Sequence, residues 1–401
     1  MDFDDAPSGG LPSGGHGVDE AVAAALSYLD SVDPATAADA RTGWEGLRLV
    51  SPAAGPTQSS VQSFLWLHLR VLVDDAGRAW EIAQALADLL DRLGHARYAD
   101  IARGESTRTL LHADDETWQQ LLSDAVARSG IGAENTELVT WQETPVGPER
   151  AMVDLIGETL EVATIAGEFA PKRLGGAPLR DTTLASRRRG VTDSVLRSER
   201  AGGVLLEQLL DHRLELWTRY SPPRAELYRD LAQPLHDAGE PAYGCVRRLE
   251  GLLAQVGEGV DVDADLSDVS GRLLQRLGLV RKHHRRLVPT TRARGISADR
   301  MWATVVSRLI GTDYHPDAIA AEVMVAEVAR GQWPHGTTML TTALLRAEGW
   351  TTDPDPDADA VLVDLVTLGS PRETDTPSSD AMRLAAAVLR HRLLHTRLPA
   401  L

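Results

Sequence analysis

A single cysteine, Cys245, and only two lysines, Lys172 and Lys282, occur in the 401 residues of this chain. One cysteine excludes an intramolecular disulfide and any multi-cysteine zinc site, so a reducing compartment is expected. Cys245 itself falls in a helical pattern where a small thiol packs as core. So few lysines leave little room for a phosphate-binding lysine of the P-loop type, and no Gly-Lys-Ser/Thr motif occurs. Aromatic residues are scarce, and half of them are Trp. With abundant Ala, Gly, Asp and Arg, this is the usage of a GC-rich genome. No apolar run approaches the length that spans a bilayer, and Met1-Asp2-Phe3-Asp4-Asp5 is acidic where a secretory leader is basic. A cytoplasmic protein with no membrane partner is expected. Nor is there a long run of alternating apolar and polar residues, which argues against α/β and all-β architectures.

What is present is 43% hydrophobic and 25% charged, the balance of an ordinary globular chain long enough for about two or three cores. The formal net charge of −17 argues against binding nucleic acid over the whole surface, so any such contact is local. The expected fold is mainly α: a multi-domain helical protein with a small winged-helix module of helices and a β-hairpin. Residues 1–17, rich in Pro, Ser and Gly, read as a disordered tail. An N-terminal helical domain is expected over 18–170, with helices at 18–29, 61–73, 79–93, 115–128 and 148–169, and with 33–60 mostly loop. Residues 171–203 read as a basic linker or second basic patch, with Lys172, Arg173, Arg180, Arg187, Arg188, Arg189, Arg197 and Arg200 among Gly, Thr and Ser. Helices and the winged module follow over 204–300, and a C-terminal helical domain over 301–401. In the latter, Ser297 caps a helix closed by Gly311 and Pro316 opens another. Residues 353–359, alternating Asp with Pro, read as a stiff acidic connector.

The stretch from Leu266 to Gly295 is the part that suggests a function. Leu266, Val269, Leu273, Leu274 and Leu277 lie at the spacing of one helical face, with Ser270, Arg272, Gln275 and Arg276 on the opposite, solvated side. Gly278 stops the helix. Two β-prone ends, Leu279-Val280 and Leu287-Val288, then flank Arg281, Lys282, His283, His284, Arg285 and Arg286, so the hairpin tip points into water or onto an anion. Arg292 and Arg294 extend the patch. Upstream, Val246, Leu249, Leu252, Leu253 and Val256 mark a packing helix, and Val260-Asp261-Val262 a short strand that completes the wing sheet. The middle helix of a full helix-turn-helix is short or missing.

The run Gly278-Leu279-Val280-Arg281-Lys282, followed by Arg286-Leu287-Val288-Pro289-Thr290, resembles the wing of a group of actinobacterial hypothetical proteins, some carrying a plasmid-type open-reading-frame domain. In that group the module is a winged helix preceded by Val-Gly-x-Gly-Val, matched here by Val256-Gly257-Glu258-Gly259-Val260. Met301-Trp302 and Glu348-Gly349-Trp350 are further points of likeness. Where the group has Gly a few residues after the wing threonine, this chain has Ala293. The likeness informs the fold more than the activity.

Other constellations fail as chemistry. His391 and His395 share a helix face at i and i+4, but no Glu follows His391, and they read as surface histidines among arginines. His283-His284 lies in a cationic hairpin that disfavours a metal and suits proton-tuned anion contact. Asp261-x-Asp263-x-Asp265 opens like a calcium loop, yet Leu266 replaces its glycine and Arg272 its glutamate. No catalytic residue, metal ligand or cofactor is assigned. Two readings remain. The first is a non-enzymatic DNA-binding regulator or mobile-element or defence accessory protein, in which Arg272, Gln275 and Arg276 face base edges while Arg281, Lys282, Arg285, Arg286, Arg292 and Arg294 hold phosphates. The second is a helical scaffold or adaptor whose winged helix docks on a protein partner or a second copy. An enzyme, which needs a deep polar pocket that nothing here marks, ranks third.

Overall fold

A computed structural model describes residues 15–50, 55–170, 177, 179–261, 268–334, 338–350, 359–369 and 376–397. Most of the expected tail, Lys172 and Arg173, Val262 to Leu266 with the site of any middle helix, and Asp353 to Asp357 lie outside the described residues. Among the described residues the chain is mainly helical with two small sheets, and it divides into two compact units, 1–134 with 150–192 and 135–149 with 193–401.

In the first unit, α1 (Gly15–Val32), α2 (Pro34–Val50) and α5 (Ala76–Arg92) pack together. Between the last two, α3 (Gln58–Ser63) passes through one π-helical turn at Phe64–His68 into α4 (Leu69–Leu72). The short helices α6 (Ala96–Arg103) and α7 (Glu105–His112) lead to α8 (Asp115–Ser129), and α9 (Gly147–Ile165) and α10 (Asp181–Leu196) follow. Helix α2 occupies most of the interval expected as loop. Its proline sits in the first turn, where no N–H is needed, and the Asp33 carboxylate accepts from the Ala35 N–H at 3.0 Å. Its core face is built from small residues, Ala37, Ala40 and Gly43 beside Trp44 and Leu47, a weak hydrophobic signal that still buries completely. A Cβ at Gly43 would lie 3.0 Å from Leu86 Cβ, so glycine there lets α2 approach α5 closely. Helix α10 lies within the stretch expected as a linker. Two of its arginines are satisfied locally, Arg187 by the Glu168 carbonyl at 2.8 Å and Arg189 by Glu134 at 3.9 Å.

The second unit begins with the two-stranded pair β1 (Glu199–Arg200) and β2 (Gly203–Val204), then α11 (Leu205–Arg219), α12 (Pro222–Tyr228), α13 (Ala232–Asp237) and α14 (Tyr243–Val256). Next come β3 (Val260–Asp261), α15 (Asp268–Arg276), β4 (Val280–His283) and β5 (Arg286–Pro289), and then α16 (Ala298–Arg308), α17 (Pro316–Ala329), α18 (Thr338–Ala347), α19 (Asp359–Gly369) and α20 (Ser379–His395). Helix α20 is the axis: α11, α13, α14, α16, α17 and α19 all pack against it. Both α17 and α20 are buried nearly all round; α17 is largely apolar, as an interior helix usually is, whereas α20 carries arginines, Arg390 and Arg392, into the interior.

Burying helices on every side also buries their charges, which are paired. Glu322 of α17 is 0% exposed. It accepts from Trp217 Nε1 at 2.8 Å, Tyr228 OH at 3.0 Å, Arg392 Nε at 3.0 Å and Arg224 Nε at 3.3 Å. Arg224 also reaches Glu348 at 2.5 Å and lies over the Trp217 ring, 4.4 Å from its centroid. A third buried arginine, Arg213, pairs with Glu149 at 2.7 Å and donates to the Leu393 and Leu394 carbonyls, satisfying acceptors in the last turn of α20. The Thr140 N–H also donates to Leu394 O, at 3.0 Å, which lays the 135–149 segment along that helix end.

Candidate nucleic-acid interface

The stretch that suggested a function folds as helix α14, strand β3, helix α15 and a β-hairpin. Leu273, Leu274 and Leu277 are fully buried, and the helix ends as the sequence implies. Gly278 adopts φ 67°, its N–H donates to Gln275 O, and the Leu279 N–H donates to Leu274 O, a Schellman stop. Strands β4 and β5 pair antiparallel with Lys282 opposite Leu287 and His283 opposite Arg286. Strand β3 adds to the far side of β5, giving the order β3-β5-β4. The Thr290 hydroxyl donates to Gly278 O at 3.0 Å and closes the base of the hairpin. Beyond it, the positive φ of the following turn is taken by Gly295 rather than at Ala293.

The register decides where the basic side chains go. Residues opposite one another in an antiparallel pair share a face, so Val280, Lys282, Leu287 and Pro289 lie on the face that holds the buried residues, with Lys282 at its exposed end. Arg281, His283 and Arg286 lie on the outer face, with Asp261 of β3 opposite Arg286. The two turn residues, His284 and Arg285, have φ 45° and 63°, the positive values of a type I′ hairpin that right-handed strand twist favours. His283 and His284 meet edge to face at 4.2 Å between centroids. All six side chains from Arg281 to Arg286 are exposed, and none makes an ion pair among the described residues. Among the described residues Arg286 alone of the six makes a side-chain hydrogen bond, to the Gly259 carbonyl at 2.5 Å.

Helix α15 is less open. Arg272, Gln275 and Arg276 are exposed, but Ser270, expected on the wet side, is buried at 8% because neighbouring elements cover more of the helix than its leucine stripe. Arg276 is paired with Asp364 of α19, and Gln275 folds back onto the Gly271 carbonyl at 3.2 Å.

Arg292 and Arg294 do not continue the hairpin surface along a strand. They line a cleft of about 910 Å³, joined there by Arg300 and Arg308 of α16 and by Arg390 of α20. Arg308 donates to Leu277 O at 3.0 Å, and Arg390 holds Glu207 through two bonds of 2.6 and 2.7 Å. Arg292, Arg294 and Arg300 are exposed and make no ion pair among the described residues. Among the described residues Glu137 is the cleft's single lining carboxylate. His391 and His395 form part of its wall, which corrects their reading as surface histidines. Their rings stack at 4.0 Å and are half-buried, because most of α20 is packed by its neighbours. Burial and the neighbouring ring push His391 down to about 3; burial and the Arg213 charge push His395 down to about 4, so both are neutral at physiological pH. Sequence reading missed this cleft. The one legible trace was the polar stripe Arg300, Thr304, Ser307 and Arg308 along α16; the other walls arrive from distant segments.

Among the described residues no group of three or more His, Cys, Asp or Glu could hold a metal ion, and no described helix is long and apolar enough to cross a membrane. Comparison of the chain with protein-family models, with curated proteins and with solved structures gave no match.

Proposed function

We propose that residues 243–295 form a winged-helix module that holds a nucleic-acid backbone through its basic hairpin. The chain then acts by binding rather than catalysis, as a DNA-binding regulator or an accessory protein of a mobile element or defence system. The succession helix, strand, helix, hairpin, with sheet order β3-β5-β4, supports the module. One observation carries the contact: in a chain with 58 acidic against 41 basic side chains, the six residues 281–286 are displayed on a β-hairpin and left without an acidic partner among the described residues. Cations held in place and free of carboxylates are what phosphate binding and counterion release require. Arg281, Lys282, Arg285 and Arg286 are the phosphate ligands, with Arg272 and Gln275 at the bases; the Asp364 pair draws Arg276 away from that task, so sequence discrimination is weak.

The test is binding of mixed-sequence duplex DNA at low and moderate salt, comparing wild type with Arg281→Glu/Lys282→Glu/Arg285→Glu. The expected result is salt-sensitive binding that the variant loses, with the slope of log affinity against log salt flattened by roughly 0.9 per phosphate contact removed. No binding at low salt, or equal binding by the variant, overturns the proposal. A second reading, a helical adaptor docking on an acidic protein surface, is favoured by the Arg276–Asp364 pair, because a groove-reading helix ordinarily keeps its arginines clear of carboxylates.

A further inference from the structure

The arginine-lined cleft of the second unit is not the surface that the hairpin presents, and its two walls differ in chemistry. One wall carries Arg292, Arg294 and Arg300, exposed and without acidic partners among the described residues. Arg308, on α16 with Arg300, is committed to Leu277 O. With Arg390 paired to Glu207, four further lining guanidinium groups face one carboxylate among the described residues, Glu137, in a chain of net charge −17. Such a local reversal of sign concentrates anions. On the other wall Arg390 of α20 is neutralised by Glu207, and with it lie Leu206, Ala387 and Leu394 and the stacked rings of His391 and His395. Those imidazoles add no charge there, since burial holds both well below the ordinary histidine range. At about 910 Å³ the space lies within the range of small-molecule sites, and the Thr304 and Ser307 hydroxyls supply neutral hydrogen-bonding groups.

We infer that this cleft is a binding site for a phosphorylated small molecule with a flat, uncharged body, the chemistry of a nucleoside polyphosphate. Arg292, Arg294 and Arg300 hold the phosphates, and the body lies along the neutral wall. Arginine suits the first task because its fork of N–H donors matches phosphate oxygens two at a time. A stacked pair of neutral imidazoles suits the second, since a protonated pair would compete with the arginines for the anion. This assignment takes Arg292 and Arg294 out of the nucleic-acid surface and stands whether or not the hairpin binds DNA.

The experiment is calorimetric titration of the full chain at low salt with adenosine triphosphate, inorganic triphosphate and adenosine as probes. Three proteins are compared: wild type, the cleft variant Arg292→Ala/Arg294→Ala/Arg300→Ala, and the hairpin variant Arg281→Glu/Lys282→Glu/Arg285→Glu. All six positions are exposed, so circular dichroism is expected to report the same folded state for each. The nucleotide should bind more tightly than inorganic triphosphate, and adenosine should bind far more weakly than either. The cleft variant should lose about tenfold or more in nucleotide affinity, with the hairpin variant matching wild type. The inference is overturned if neither phosphate probe binds, if the cleft variant binds as wild type, if both variants lose binding alike, or if adenosine binds as well as its triphosphate. Loss of duplex DNA binding in the cleft variant, without nucleotide binding by wild type, would instead assign the cleft to the nucleic-acid surface. Failure of wild type to bind DNA removes the regulator proposal and leaves this one untouched.

Discussion

Replacing Glu322 by Gln keeps the side chain's shape and removes its charge. Of the two carboxylate oxygens, Oε1 accepts from Trp217, Arg224 and Tyr228 and Oε2 from Arg392. A glutamine can preserve the first set, but its NH₂ then faces the Arg392 N–H, donor against donor. Arg224 and Arg392 would be left buried with Glu348 as the only acidic partner among the described residues. Removing one partner of a buried ion pair costs about 3–5 kcal/mol, since the remaining charge stays desolvated. For a unit of this size that is about 6–20 °C in Tm. Urea unfolding followed by tryptophan fluorescence measures it, with Trp217 reporting from inside the network. The pair should also show non-additivity: Glu322→Leu/Arg392→Met should be less destabilised than Glu322→Leu alone, because the double change leaves one buried cation fewer. A Glu322→Gln protein within about 1 kcal/mol of wild type would refute the reasoning. The pH dependence has a definite sign. Burial alone raises the Glu322 pKa, but the Arg224 and Arg392 charges and hydrogen bonds from Trp217 and Arg392 outweigh it and leave it below its ordinary 4.5. Its contribution is therefore present above pH 4.5 and is lost as pH falls through the lower, folded-state value.

Three further outcomes are expected. Arg285→Gly should raise stability by up to about 1 kcal/mol in thermal unfolding, because a non-glycine residue at φ 63° pays a steric cost that glycine avoids; destabilisation would contradict the turn geometry. His236 lies between Glu207 and Asp211, 2.8 and 2.7 Å away, and although burial lowers its pKa the hydrogen bonds and charges of Asp211 and Glu207 raise it above 6.5 overall. Its stabilisation is thus complete below pH 6.5 and declines as pH rises through the folded value, so urea midpoints should fall over that window in wild type and stay flatter in His236→Ala. Burial, with the Asp380 charge adding to it, pushes the Cys245 thiol up to about 11, and a thiol reagent at pH 8 should label it only as fast as the protein opens; immediate labelling of the native protein would refute its burial.

The helices were legible where a strong apolar stripe met a definite stop, as at Leu273, Leu274 and Leu277 before Gly278, or Trp302, Val305 and Leu309 before Gly311. The hairpin was legible because β-prone pairs flank a run too polar to bury. Helix α2 was not, since its face is built from alanine and glycine and its punctuation, Pro34 and Gly43, reads as loop. The short helices α6 and α7 also escaped notice, having only about two turns each in which to show a period. Ser270 and the His391/His395 pair were placed on the surface because a single helix's periodicity cannot say how many neighbours it has. The hairpin half of the candidate surface could be named in advance, whereas the cleft could not, because Glu137, Arg300 and Arg390 meet only through tertiary packing.

The pairing of the 135–149 segment with the end of α20 has a consequence for synthesis. Gln142 donates to the carbonyl of Thr396, 254 residues further along, and Thr140 depends on Leu394 in the same way. At about 5–20 residues per second a ribosome needs roughly 13–50 s to cover that interval. Over that interval the nascent segment lacks its partner helix, although Arg213, the partner of Glu149, follows after only 64 residues. A growing chain therefore carries an unclaimed strip between two stretches that can already fold together, open to proteases and chaperones until the last helix emerges to seat it.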